Sequence, residues 1–168
     1  FLFSIFLLPA YGANKDTKAI YELIERVTPG YSSQYRLEII APDNGVDVYE
    51  VDGNGKEIIL RGNTPVALAT AFNWYLKYTC QAHVSWFGNQ LNLPEKLPQP
   101  RERERRVING RYRVYMNYCT VSYTAAWWDW EHWQKELDFM AMNSVNMPLF
   151  TIGLDAVWYN TLLHFNFS

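Results

Sequence analysis

Apolar residues recur at helical spacing from Thr17 to Val27, with Ala19, Ile20, Leu23, Ile24 and Val27 on one stripe before Thr28-Pro29-Gly30 stops the run. Alternation takes over from Tyr35 to Ile40 and predicts a strand. Val46 to Val51 and Lys56 to Leu60 read as two more strands flanking Asp52-Gly53-Asn54-Gly55, whose residues accept the positive φ of a tight turn; the pair predicts a hairpin. Thr64-Pro65 is a strong helix start, because the Thr hydroxyl can cap a free amide and Pro65 loses no bond at the first helical position. The helix should reach about Thr79, with Val66, Ala69, Phe72, Leu76 and Thr79 on one stripe and Asn73 and Lys77 pointing away. Val84 to Phe87 reads as a further short strand. Helices on a small sheet, an α+β domain, are the predicted architecture of this first segment.

From Pro94 to Arg106 the pattern dissolves into three prolines and alternating Arg and Glu. Such a stretch cannot bury itself, so it reads as a surface connection. Arg101, Arg103, Arg105 and Arg106 do not make an anion site on this reading, since Glu102 and Glu104 cancel most of their field. Alternation returns from Arg111 to Tyr118, a helix is predicted from about Asp129 to Met142, and Val145 to Phe150 reads as another strand. That order is a βαβ unit with parallel strands. Trp130, Trp133, Leu137, Met140 and Ala141 share one face of the helix and are expected in the core; Asp129 can cap its start and Asn143 can close it. A last helix is expected from Asp155 to about His164. One βα unit and the next strand form the opening of a repeating α/β fold, so the predicted whole is an α+β N-terminal domain followed by the first portion of a (β/α)8 TIM barrel. The expected division is a signal remnant over 1–13, the α+β domain over 14–99, a linker over 100–110 and the incomplete barrel over 111–168.

Composition narrows the class without fixing it. The chain of 168 residues is 49% hydrophobic and 19% charged, which excludes a disordered chain. A net charge of −2 gives no overall attraction to nucleic acid or an anionic membrane. Aromatic residues make 17% of the chain, which permits a flat-faced ligand such as a sugar but equally suits an ordinary core. Phe1 to Pro9 followed by Ala10-Tyr11-Gly12-Ala13 looks like the apolar core and cleavage site of a secretory signal and is too short to span a bilayer; a buried terminal element is the alternative. Cys80 and Cys119 match no zinc spacing and make no disulfide framework, and are read as separate thiols.

Several short motifs, in order, then carry a resemblance. Gly62-Asn63-Thr64, Cys80-Gln81-Ala82-His83-Val84-Ser85-Trp86 and Gln90-Leu91-Asn92-Leu93-Pro94 precede Arg111-Tyr112-Arg113, Asn117-Tyr118-Cys119-Thr120, Ser122-Tyr123, Trp127-Trp128-Asp129-Trp130 and Met140-Ala141-Met142-Asn143. Together they resemble the N-terminal domain and barrel start of the α-N-acetylglucosaminidases of glycoside hydrolase family 89, over roughly residues 20 to 165. The resemblance implies exo-acting, retaining hydrolysis of a terminal α-linked N-acetylglucosamine by two carboxylic acids about 5 Å apart. In that family both are glutamates on later strands, and none of the glutamates in this chain matches them.

What the resemblance carries over is part of the terminal-sugar pocket. The family's Asn and Cys of the Asn-x-Cys-Thr motif match Asn117 and Cys119, at the end of the first barrel strand where a barrel places its site. An Asn amide can donate to and accept from hydroxyls, and a thiol can pack against a ring. The plainer alternative is that Asn117 satisfies loop backbone and Cys119 fills core. Where the family commonly has Gly-Gln-Glu-Ala, this chain has Gly153-Leu154-Asp155-Ala156, which removes an amide and shortens a carboxylate at that rim. His83, His132 and His164 form no ligand set, so no metal or cofactor is implied. The expected partner is a glycan ending in α-linked N-acetylglucosamine, with no nucleic acid and no stable membrane span. The expected location is secreted or periplasmic, or lysosomal in a eukaryote. A non-catalytic sugar-binding or interaction module is the competing reading.

Overall fold

Helix α2, Pro65–Tyr78, is apolar on nearly every side because it is enclosed on nearly every side. In the computed structural model, which describes residues 15–149 and 153–167, it packs against two strands on one face and against helices α1, Lys15–Val27, and α4, Trp130–Met142, on others. Ala67, Leu68, Ala69, Ala71, Phe72, Tyr75 and Leu76 are all buried. The predicted cap is present: Thr64 Oγ1 accepts from Ala67 N at 3.1 Å, with Pro65 in the first turn. The helix start lies so close to the sheet that a Cβ on Gly62 would sit 2.7 Å from Leu68 N, so only glycine fits there. Ile20, Leu23 and Ile24 of α1 complete the core as their spacing predicts.

The sheet holds β1, Tyr35–Ile39, β2, Asp47–Gly53, β3, Ile58–Gly62, and β4, Glu104–Ile108, in the order β1-β3-β2-β4. The predicted hairpin is β2 and β3, antiparallel from Tyr49 opposite Gly62 to Gly53 opposite Ile58. β1 adds to β3 in parallel.

β4 corrects the reading of 100–110 as a solvated connection, since residues 104–108 pair antiparallel with β2. Ion pairs accompany that pairing, and of the strand's residues Ile108 alone is buried in the core. Arg103 Nη2 and Arg105 Nη1 donate to the two oxygens of buried Glu50 at 2.6 and 2.8 Å, and Arg105 Nη2 reaches Asp43 at 2.8 Å. Arg61 joins the same group 3.7 Å from Glu50 Oε2 and also bonds Glu38 at 2.5 Å and Asp52 at 3.1 Å. Alternating charges are what such a strand face needs when the neighbouring strand offers carboxylates.

Three smaller expectations also change. Asn73 is buried rather than outward, because α4 lies against that side of α2; its Nδ2 donates to the Met142 carbonyl at 2.9 Å, one of the helix-end carbonyls left without an intrahelical partner. Trp130 is 67% exposed rather than core, while Trp133 and Met140 are buried as expected. Residues 84–87 form a turn instead of a strand, closed by a single bridge between His83 and Gln90 and by Ser85 Oγ donating to Gly88 O at 2.6 Å.

Beyond the sheet come β5, Val114–Tyr115, α3, Tyr118–Ser122, α4, β6, Met147–Pro148, and α5, Leu154–His164. β5 and β6 are parallel, with Val114 opposite Met147 and Tyr115 opposite Pro148. The longer strands predicted over 111–118 and 145–150 shorten to two residues each, and their side chains are exposed. Asp129 Oδ1 accepts from His132 N at 3.0 Å and caps α4, and the Asn143 amide bonds back to Phe139 O. The predicted signal over 1–13 lies outside the described residues, as does Phe150. No described helix is long and apolar enough to cross a membrane.

Candidate functional site

The corner between β5 and α3 carries both residues singled out from the sequence. Met116 takes φ +70°, an uncommon conformation for a residue with a side chain, and turns the chain abruptly out of the strand. Asn117 follows as the N-cap of α3. Its Oδ1 accepts from Cys119 N at 2.9 Å and Thr120 N at 3.2 Å, and Thr120 Oγ1 returns a long contact of 3.5 Å to Asn117 N. This is a capping box on a one-turn helix. The cap occupies the carbonyl half of the amide and leaves Nδ2 without a partner among the described residues. Asn117 therefore offers a ligand a donor rather than an acceptor.

Cys119 is exposed, and its thiol is free. Cys80 is also free and only half-buried; burial pushes its thiol pKa up, partly opposed by its hydrogen bond with Tyr75. The same stretch exposes Tyr118, Tyr123 and Trp127, the last at 95%. Gly153 at φ +82° opens α5, and Leu154 is half exposed where the resemblance leads one to expect an amide.

A concavity lies between α4, α1 and the 84–89 turn. It encloses about 590 Å³ and is lined by Arg26, Trp86, Trp128, His132, Glu136 and Asp138 among others. Arg26 grips Asp138 with two bonds of 2.7 Å, a bidentate fork that leaves Asp138 no free role. Trp86 Nε1 donates to Glu136 Oε2 at 2.9 Å. Burial raises the Glu136 pKa, and the bond from Trp86, with the Tyr115 hydroxyl nearby, offsets this only in part. Trp128 stands between Trp86 and Trp133 at centroid distances of 5.9 and 5.1 Å. Asp138 and Glu136 each tie α4 to another chain segment, so the cavity reads as a seam, with Glu136 Oε1 buried and without a hydrogen-bond partner among the described residues.

The three histidines stand in separate places: His132 Nδ1 contacts Asp129 Oδ1 at 2.7 Å, His83 sits in the bridge with Gln90, and His164 lies edge-on to Phe165. No group of three metal-ligating side chains occurs among the described residues. Sequence reasoning missed Asp47, Trp86, Arg113 and Glu136, which join the two halves of the chain. Arg113 was visible as part of a strand pattern and of the Arg111-Tyr112-Arg113 motif, and nothing local signals its partner 66 residues away.

Comparison with known proteins agrees with this layout. The family model for the α-N-acetylglucosaminidase N-terminal domain matches residues 18–99, and that for the α-N-acetylglucosaminidase TIM-barrel domain matches residues 111–168. Human α-N-acetylglucosaminidase is 36% identical over 154 residues, which is 89% of this chain and 21% of the human protein. A family 89 glycoside hydrolase from Clostridium perfringens, solved with 2-acetamido-1,2-dideoxynojirmycin, superposes with a TM-score of 0.87 at 36% identity over 93% of this chain and 18% of its own. A substituted form of the Clostridium perfringens enzyme, solved with its substrate GlcNAc-α-1,4-galactose, gives a TM-score of 0.86 at 35% identity over 91% of this chain and 18% of its own. The chain thus spans about a fifth of the length of the relatives it matches. With an N-terminal α+β domain and the start of a TIM-barrel domain both matched in order, it belongs to the α-N-acetylglucosaminidases of glycoside hydrolase family 89.

Proposed function

We propose that this chain is the N-terminal part of an exo-acting, retaining glycoside hydrolase that removes terminal α-linked N-acetylglucosamine. The observation that carries the reading is the superposition on a relative solved with GlcNAc-α-1,4-galactose as its substrate. On this reading β5, α4 and β6 open a (β/α)8 barrel, and the two catalytic glutamates lie on strands that follow residue 168. Retention requires the pair to stand about 5 Å apart, one attacking the anomeric carbon while the other protonates the leaving oxygen and then activates water. Within this chain Asn117 and Cys119 contribute to the terminal-sugar pocket. The strand-end position supports that role, and the unpartnered Nδ2 gives Asn117 a donor to direct at a sugar hydroxyl. The protein is read as exported, and its partner as a glycan rather than a nucleic acid.

The test is hydrolysis of a chromogenic N-acetyl-α-glucosaminide by this chain and by a longer protein carrying the complete barrel. Turnover is expected from the longer protein alone. Equal turnover by both would place the catalytic groups within these residues, and none by either would leave a non-catalytic sugar-binding module as the better reading.

A further inference from the structure

β5 is too short to hold itself in place. It pairs with β6 over two residues, its side chains are exposed, and it runs directly into the left-handed Met116 and then Asn117. What fixes its entry is Arg113. The Arg113 backbone is tied to the turn before β6: its N–H donates to Asn146 Oδ1 at 2.9 Å and its carbonyl accepts from Asn146 N and Met147 N at 3.3 and 3.2 Å. The side chain is only 12% exposed, and its guanidinium donates to the Ser144 carbonyl after α4, to the Gly110 carbonyl at 2.8 Å and to Asp47 Oδ2 on β2. Asp47 is itself held, since its Oδ1 accepts from Thr64 Oγ1 at 3.0 Å at the start of α2. One side chain thus joins the N-terminal sheet, the chain entering β5 and the turn entering β6, four residues before Asn117.

We infer that Arg113 is a positioning residue: braced on Asp47, it lets the N-terminal domain set where the Asn117 corner stands. The planar fork suits this task, because several donors in fixed directions locate a segment as well as attach it. A left-handed Met persists only where its surroundings over-determine the backbone; on its N-terminal side the Tyr115 carbonyl accepts from Leu149 N at 3.0 Å, and the Arg113 bonds hold the chain that leads into that pairing. The link from position to sugar binding rests on the function proposed above.

Two substitutions separate the bond from the fold. Asp47→Asn keeps an oxygen for Thr64 while turning a donor toward Arg113, and Arg113→Lys keeps the charge while losing the fork. Each is made in the protein with the complete barrel, and two quantities are read. Inhibition by N-acetylglucosamine reports the sugar pocket directly. Its inhibition constant should rise about tenfold or more, since a misplacement near 1 Å costs on the order of 100-fold in a preorganised site. Hydrogen exchange of the amides of residues 114–120 should quicken while those of β3 and α2 keep their wild-type rates. An unchanged inhibition constant in a folded variant, unchanged exchange at 114–120, or equal quickening throughout the sheet would each overturn the assignment. If the wild type is not inhibited by N-acetylglucosamine at all, the proposed function fails, and the exchange comparison alone decides the role of Arg113.

Discussion

Asn117 caps α3 through its amide oxygen and leaves Nδ2 without a partner among the described residues, so one substitution can separate the cap from the proposed sugar contact. Asn117→Asp preserves the oxygen that caps α3 and removes the Nδ2 donor. In the complete enzyme the melting temperature should stay near wild type while kcat/KM falls about tenfold to hundredfold, the equivalent of roughly 1 to 3 kcal/mol for a buried donor removed. Wild-type efficiency in the folded variant would take Asn117 out of the pocket. Glu50 and Glu136 are both nearly closed to solvent, at 3% and 5% exposure, and their surroundings push them in opposite directions. Burial works to raise Glu50, but the hydrogen bonds from Arg105 and Arg103 outweigh it and its pKa is lowered. Its contribution is therefore present above the unfolded carboxyl value and lost as pH falls through the lowered one. For Glu136 burial wins and the pKa is raised, so folding retains a proton above 4.5. Its contribution is complete below 4.5 and declines as pH rises through the raised value. Glu136→Gln should flatten that decline, and denaturant midpoints of both forms measured from below 4.5 to neutrality would show it. A parallel pH dependence in the two would mean that Glu136 does not supply the slope.

Among the elements, those with the clearest periodicity formed closest to expectation. Pro65–Tyr78 matches its predicted start and ends one residue before the predicted Thr79, because Thr64 capping and the apolar run agree with each other. β4 shows the opposite case: its Arg-Glu alternation is the same period-two signal that marks a strand, but with no apolar partner in the alternation it resembles a solvated connection. The carboxylate that gives it a place, Glu50, lies more than 50 residues back. α5 buries none of its side chains among the described residues. Native-state hydrogen exchange on this chain should follow that order, with α2, β2 and β3 slowest, the β2-facing amides of β4 clearly protected, and α5 fastest. Free-chain exchange rates across 104–108 would contradict the strand, and an α5 as slow as α2 would contradict its lack of packing.

For the whole molecule, the two halves are joined by contacts that a division at the Pro-rich stretch does not anticipate. Arg26 holds Asp138, Trp86 holds Glu136, Asn73 holds the end of α4 and Asp47 holds Arg113. The strand-end position of Asn117 was legible because a period-two run ended there. Its division into a capping oxygen and an unpartnered amide was not, since that depends on the left-handed turn at Met116. The sequence by itself determined the local features whose physics is local: the helix at Pro65, the β2–β3 hairpin, the cap at Asp129, and the order of motifs that identifies the family. Tertiary structure alone decided which polar residues are buried and with whom, placing Asn73, Glu50 and Glu136 inside and Trp130 outside. A helix stripe or a strand alternation states which residues share a face; only the element that packs there decides whether the face is covered, and that element comes from far along the chain.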